Sequence, residues 1–322
     1  MSRFDGTSAE FRSALDFVIN IFQEKIPGKG EDSILYSFSR LGGVVGVFDG
    51  CGGSGAKKYE KYGGHTGAYM ASRVVCGAVK DWFCDYLKAG ESAADASLLK
   101  SRIKAYLNCC RETGGSITTM KGSLSKDFPT TAAVILTVIE HGHLQATCMW
   151  AGDSRCYLMD PDGLKQLTED DLGGLDAMEN LTADGVLTNV ISTSKDFTIH
   201  QKTITLSEPC ILFTATDGCF GYLSTPMEFE YLLLSTLLSA DSVAAWENGL
   251  TSTLRDIAGD DFTLSGMSFG FGSFSALKKA FQNRETQLLE NDISGISEKS
   301  REEKTAMWNE YKVAYAKYLR EG

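Results

Sequence analysis

The sequence predicts an α+β protein built as a layered sandwich. Segments with strand character and segments with helical spacing come in blocks, whereas a doubly wound parallel sheet would need strict alternation. The strand segments are short, rich in β-branched residues and cut by turn signals that suit antiparallel pairing. With 322 residues, 43% of them hydrophobic, the chain can fill a large core.

Ile34 to Phe38 and Val44 to Phe48 are predicted strands, joined by a turn at Gly42-Gly43. From Thr66 to Leu87 apolar residues recur at helical spacing, as in Met70, Val74, Val75, Ala78, Trp82 and Phe83. A second helix fits Asp95 to Arg111, with Asp95 as its N-cap. The stretch TTAAVILTVIEHGHLQATCMWAGDSRCYLMDPDGLKQLT, turning at His141-Gly142 and Pro161-Asp162-Gly163, predicts an antiparallel meander. Leu172 to Lys195 is rich in Gly, Asp, Asn, Ser and Thr without a sustained period, which predicts a loop or small lid. Strands are expected at Ile199 to Leu206, Cys210 to Ala215 and Thr263 to Phe271, and helices at Pro226 to Leu238 and Ser242 to Ile257.

After Ser275 the sequence turns charged and helical, which divides the chain into a body at 1–275 and an extension at 276–322. In that extension Trp308, Tyr311, Tyr315 and Tyr318 share one helix face, suited to packing on the chain's own body or to binding a partner.

A formal charge of -11, from 42 acidic against 31 basic residues, argues against a life on nucleic acid or anionic lipid. Nine cysteines without a CxxC pair suggest a reducing compartment. The longest apolar run, Thr131 to Ile139, is too short to span a bilayer, and MSRFDGTSAEFRS has no apolar signal core. A cytoplasmic chain is expected.

Acidic residues recur beside predicted strands: Glu31 and Asp32 in GEDS, Asp49 in FDG, Asp217 in TDG, and Asp260 and Asp261 in GDD. Strand ends lie on the rim of a sheet, so carboxylates far apart in sequence can converge there. The glycines after Asp49 and Asp217 are expected to let the backbone turn sharply towards a ligand, although an Asp-Gly pair alone is also ordinary turn chemistry. Crowded carboxylates raise one another's pKa unless cations neutralise them. With only four histidines and no thiolate cluster, the matching ions are Mg²⁺ or Mn²⁺. Two such ions about 4 Å apart can activate a bridging water towards a phosphorus or carbonyl centre.

Taken in order, GEDS, VVGVFDGCGG, WAGDSRCYLM, FTATDGCFGYLS and GDDFTLSGMSF resemble the conserved blocks of the metal-dependent Ser/Thr protein phosphatases of type 2C. Weaker echoes are Thr130-Thr131-Ala132, LTEDD and NVIS, and the blocks run from Gly30 to Phe271. The resemblance implies a four-layer α-β-β-α sandwich of two antiparallel sheets flanked by helices. It also implies two Mg²⁺ or Mn²⁺ ions, with room for a third, and a phosphorylated protein as substrate. Asp49 would bridge the two metals and the Gly50 carbonyl would ligate one. Asp217 and Asp260 would hold the other, with Glu31 in contact and Asp32 supporting from behind, and Asp153 would serve a third metal.

Three departures stand out. Pro27 occupies the place of an Arg that often grips substrate phosphate, leaving Lys25 or Lys29 to supply charge without the bidentate fork. Asp261 replaces the expected Asn. Cys51 stands where eukaryotic members often have His and bacterial ones Met, a pattern that leans bacterial. A Cys51 nucleophile is disfavoured because Lys57, not Arg, lies at the C-x5-R spacing. Ser54 to Gly63 resembles an insertion ahead of the helix entry GGHTGAYMAS, so His65 is either a proton donor to the leaving group or a surface residue. A serine hydrolase is disfavoured for want of a G-x-S-x-G motif. The expected activity is metal-dependent hydrolysis of phosphoserine and phosphothreonine, against a non-catalytic phosphoprotein-binding module or a small-molecule metallophosphatase.

Overall fold

Strands apolar on both faces must be covered on both faces. The computed structural model describes residues 11–90, 94–114, 126–173, 176–182, 185–206 and 209–319. Its strands are β1 (Leu15–Gln23), β2 (Ser33–Phe38), β3 (Gly42–Phe48), β4 (Lys58–Tyr59), β5 (His65–Thr66), β6 (Ala132–Glu140), β7 (His143–Ala151), β8 (Arg155–Asp160), β9 (Gly163–Gln166), β10 (His200–Leu206), β11 (Cys210–Ala215) and β12 (Phe262–Phe269). The longer helices are α1 (Gly67–Ala89), α2 (Ala96–Gly114), α3 (Pro226–Ser239), α4 (Val243–Ile257), α5 (Phe274–Leu288) and α6 (Arg301–Tyr315). Strands β3, β11 and β12 are buried along their whole length.

Two antiparallel sheets result, one ordered β1-β12-β11-β8-β9 and the other β10-β7-β6-β3-β2. Val45, Val47, Ile135, Leu158, Leu212 and Met267 fill the space between them. Helices α1 and α2 cover the outer face of the second sheet through Val75, Val79, Phe83, Ile103 and Leu107. Helices α3, α4 and α5 cover the first through Leu233, Leu250 and Phe281. The protein is the α-β-β-α sandwich that the sequence predicts.

Three local features differ from the sequence reading. Strand β1, LDFVINIFQ, was not anticipated, because Asp16 and Asn20 interrupt its apolar pattern. Both have partners: Asp16 accepts from the Phe271 and Gly272 amides at 2.7 and 3.0 Å, and Asn20 from the Ser265 hydroxyl at 2.7 Å. The predicted meander is divided, with β6 and β7 in one sheet and β8 and β9 in the other. The chain crosses between sheets at Gly152 to Ser154, where Gly152 has φ +98°. A period of two identifies a strand but carries no information about which sheet it joins. Finally, the insertion after Cys51 is a compact ribbon, β4 against β5, anchored by buried Tyr59 stacked 4.7 Å from Phe128.

The aromatic face of α6 lies on the body of the chain. Trp308 and Tyr315 are buried in the core shared by α3, α4 and α5. Trp308 Nε1 donates to Asp176 at 2.8 Å and the Tyr315 hydroxyl to Gln166 at 3.0 Å. Glu230 on α3, wholly buried, accepts from Arg284 at 2.6 and 2.8 Å and from the Tyr311 hydroxyl at 2.5 Å. Charge compensation and full hydrogen bonding allow a carboxylate to sit there. Among the described residues no helix is long and apolar enough to cross a membrane. Trp308→Ala is expected to cost about 3–5 kcal/mol, read as a lower urea midpoint at unchanged m-value; a loss under about 1 kcal/mol would mean that α6 is not integral to the core.

Candidate active site

Strand ends bring the acidic residues together. Asp49 follows β3, Asp217 follows β11 by one residue, Asp153 lies just ahead of β8, Glu31 and Asp32 lead into β2, and Asp260 and Asp261 lead into β12. Because β3 packs across from β11 and β12, these ends share one rim of the sandwich. Asp49 senses the charges of Asp217, Asp32, Asp153 and Asp260, which places the carboxylates in one electrostatic cluster.

Burial dominates their titration. It pushes Asp32 up to about 8, with Asp217 and Asp261 adding to the effect. It pushes Asp153 up to about 8, again with Asp217, and Asp217 up to about 6, with Asp260. Asp49 is held well above the ordinary carboxylate range by burial and then by its four acidic neighbours. Burial also raises Glu31, and the hydrogen bond from Thr66 opposes it.

Neutral donors support this cluster. Asp32 accepts from the hydroxyls of Thr216 at 3.0 Å and Thr263 at 2.7 Å, while the two threonines bond to each other's backbone. Asp32 therefore ties β2 of one sheet to β11 and β12 of the other. Asp261 accepts from the amides of Lys25 and Glu31, both at 2.7 Å, so it braces the 25–31 loop and presents Glu31. The carboxylate at the expected Asn position thus has a structural task. Arg155 is likewise committed, making a buried pair with Asp170 at 2.6 Å.

The two Asp-Gly glycines are needed for a reason other than a turn. Neither has a positive φ. A Cβ at Gly218 would lie 1.9 Å from the Asp261 carbonyl oxygen, and one at Gly50 would lie 2.6 Å from that of Ala68 and 2.8 Å from that of Glu31. Close approach of neighbouring backbone, more than sharp turning, demands glycine here.

The other candidates are placed differently. His65 is exposed, its ring flat on Tyr69 with centroids 3.9 Å apart. The adjacent Thr66 is the side chain that reaches Glu31. The Lys25 ammonium donates to the Ala258 carbonyl at 2.5 Å, and Lys29 is exposed. Burial and then the charge of Asp49 hold the Cys51 thiol well above its usual pKa, the reverse of what a nucleophilic thiolate needs.

Sequence reasoning missed Thr66, Thr216, Thr263 and Tyr222. The threonines gave no signal, since nothing in a sequence marks which hydroxyl faces a carboxylate. Tyr222 could have been found from its place just after TDGCFG. Its ring lies against Gly259, where a Cβ would come within 2.4 Å, and its hydroxyl is raised by burial and by Asp260, Asp217 and Asp49. It stands, half exposed, at the mouth of the cluster.

Among the described residues no three His, Cys, Asp or Glu side chains form a finished metal cage. The donor chemistry nevertheless fits hard divalent cations. The donors are oxygens, and Asp153 Oδ1 is buried with no hydrogen-bond partner.

No family model and no curated protein matches the chain. Solved structures do. Serine/threonine phosphatase Stp1 from Staphylococcus aureus superposes with a TM-score of 0.58 at 17% identity, covering 83% of this chain and 99% of that one. The chain has the type 2C phosphatase fold. The Mycobacterium tuberculosis serine/threonine phosphatase PstP/Ppp shares it, with a TM-score of 0.54 at 16% identity over 79% of this chain and 98% of that one. The catalytic domain of PstP in complex with two manganese ions gives 0.52, again at 16% identity, over 79% of this chain and 98% of that one. At these identities the likeness speaks for the fold alone.

A carboxyl whose folded-state pKa is raised makes folding less favourable as it ionises, so stability falls as pH rises towards that pKa. With chelator present, the melting temperature is expected to fall between about pH 5 and about pH 8, the window set by Asp32 and Asp153. Asp32→Asn should flatten part of the slope. A melting temperature that rises over this window would contradict the electrostatic picture.

Proposed function

We propose that the protein is a divalent-cation-dependent phosphatase acting on phosphoserine and phosphothreonine in proteins. The observation that carries this reading is the convergence of the partly buried Asp49, Asp153 and Asp217 with Asp260 on one rim of a type 2C phosphatase fold. Asp49 and the Gly50 carbonyl would hold one Mg²⁺ or Mn²⁺ ion, Asp49, Asp217 and Asp260 a second with Glu31 alongside, and Asp153 a third. Bound there, the ions would neutralise the carboxylates and make a water acidic enough to attack phosphorus near neutral pH.

The chain's own groups do the positioning. Asp32, clasped by Thr216 and Thr263, keeps the Asp49, Asp217 and Asp260 strand ends at fixed separation. Thr66 and Asp261 orient Glu31 from its side chain and its backbone. Tyr222 offers a neutral hydroxyl at the mouth, suited to a phosphoryl oxygen. The segment 172–195, of which 174–175 and 183–184 lie outside the described residues, is the proposed lid. It is anchored at one end by Asn189 on Asp171 at 2.7 Å and by pairing of Ile191 with Thr130, and near the other by Trp308 on Asp176.

A second reading, a phosphoprotein-binding module without turnover, draws on Pro27 at the phosphate-gripping position and on the commitment of Lys25 to Ala258. Mn²⁺-dependent hydrolysis of p-nitrophenyl phosphate and of a phosphothreonine peptide separates the readings. The wild-type chain should cleave both, and Asp49→Asn should lose on the order of 10³-fold in kcat. Mn²⁺ binding without turnover would favour the binding module, and cleavage of p-nitrophenyl phosphate alone would favour a small-molecule phosphatase.

A further inference from the structure

A cleft of about 460 Å³ lies between the segment around Asp176 and helix α6. That volume falls within the range of pockets that hold a small ligand or a few side chains. Its charge is opposite to that of the protein as a whole. Lys299, Arg301, Lys304 and Lys312 line it, on a chain whose formal charge is -11. Arg301, Lys304, Trp308 and Lys312 recur at three- and four-residue steps, so α6 presents one stripe of cations around a buried aromatic.

The acids in the same cleft are already engaged. Asp176 accepts from Trp308 at 2.8 Å and from the amides of Met178 and Glu179 at 3.1 and 3.0 Å, with Lys312 3.6 Å away. Glu179 accepts from the Asp176 amide at 2.9 Å. The cleft wall is also close in sequence to the acidic rim. Ser224, on its wall, accepts from Lys304 at 3.3 Å and lies two residues beyond Tyr222, which senses Asp260, Asp217 and Asp49. A peptide with its phosphoryl group at the rim would pass Tyr222 and Ser224 to enter the cleft.

We infer that this cleft is a docking site for acidic residues flanking the phosphorylated residue of the protein substrate. The inference rests on the phosphatase reading for its substrate but not for its test. Electrostatic complementarity of this kind selects partners and speeds encounter more than it adds raw affinity. It also gives a strongly acidic enzyme a local means of accepting a polyanionic peptide, against a net charge that would repel it.

The test has a binding arm and a kinetic arm. Fluorescence anisotropy measures binding of a labelled, unphosphorylated Asp/Glu-rich peptide to wild-type protein and to a Lys299→Glu/Lys304→Glu variant. Turnover is measured on phosphothreonine peptides with acidic or neutral flanks and on p-nitrophenyl phosphate. The variant should bind the acidic peptide about tenfold more weakly, the wild-type affinity should fall with added salt, and KM for the acidic-flank substrate alone should rise by a similar factor. Turnover of p-nitrophenyl phosphate should not change. Equal peptide binding by the two proteins would overturn the inference, as would equal KM values on the acidic-flank substrate. If no substrate is cleaved at all, the phosphatase reading fails and the anisotropy arm still decides the docking site. Should the charge-reversed chain melt early, Lys299→Gln/Arg301→Gln repeats both arms.

Discussion

Acidic groups crowded on a partly buried rim are the constraint around which the rest of the structure is arranged. Asp32, which is buried, and Asp49, Asp153 and Asp217, which are partly buried, lie near one another at the end of the sandwich, with Asp260 close by. Hydrophobic packing gains nothing from such a cluster, and desolvation with mutual repulsion works against it. It persists because each carboxylate terminates or precedes a strand whose position is set by the core. Val45 and Val47 on β3 and Leu212 on β11 lock their strands into the inter-sheet layer, and the acids are carried to the rim as a consequence.

The residues around the cluster follow from that constraint. Two threonine hydroxyls meet Asp32, a third meets Glu31, and backbone amides meet Asp261, so these carboxylates are met with neutral donors, with Arg73 standing beside Glu31 on the Gly30 and Glu31 carbonyls. Neutral donors leave the net charge of the cluster in place, so a cation remains able to neutralise it. A lysine at the position of Thr216 or Thr263 would instead pair with Asp32 and, on the proposed reading, compete with a bound cation. The crowding at Gly50 and Gly218 belongs to the same design. Carbonyl oxygens of Ala68, Glu31 and Asp261 press against these glycines because the start of α1 and the loops that bear Glu31 and Asp261 converge there.

Much of this was legible in the sequence. Strand and helix blocks predict the layers, and apolar runs ending in Asp-Gly predict acids at strand ends, because both follow from local periodicity and turn chemistry. What was hidden depends on tertiary partners. Strand β1 disguises its period with Asp16 and Asn20, whose partners lie about 250 residues away in sequence. The switch of sheets at Gly152 to Ser154 leaves no mark in a pattern of alternate residues. The ordering of the ribbon after Cys51 depends on Tyr59 finding Phe128, a contact that no window of local sequence contains.

The absence of arginine from the 25–31 loop is best understood through Asp261. With the amides of Lys25 and Glu31 both bonded to one carboxylate and the Lys25 ammonium bonded to Ala258, this loop is braced and its own Lys25 is turned towards the end of α4. The loop thus fixes Glu31 in place and gives up reach. A long side chain gripping a phosphoryl group would have to leave this brace or compete with it for Asp261. On the proposed reading, positive charge for an incoming phosphopeptide would come from beside this loop, where Arg73 donates to the Gly30 and Glu31 carbonyls at 3.1 and 3.4 Å, and from α6. Its aromatic face is sealed by Trp308, Tyr311 and Tyr315 against the body of the protein, which fixes the adjacent lysines and arginine relative to the rim. Charge held by a packed helix can act on partner selection without adding a further cation among the carboxylates, where on the proposed reading it would compete with a metal.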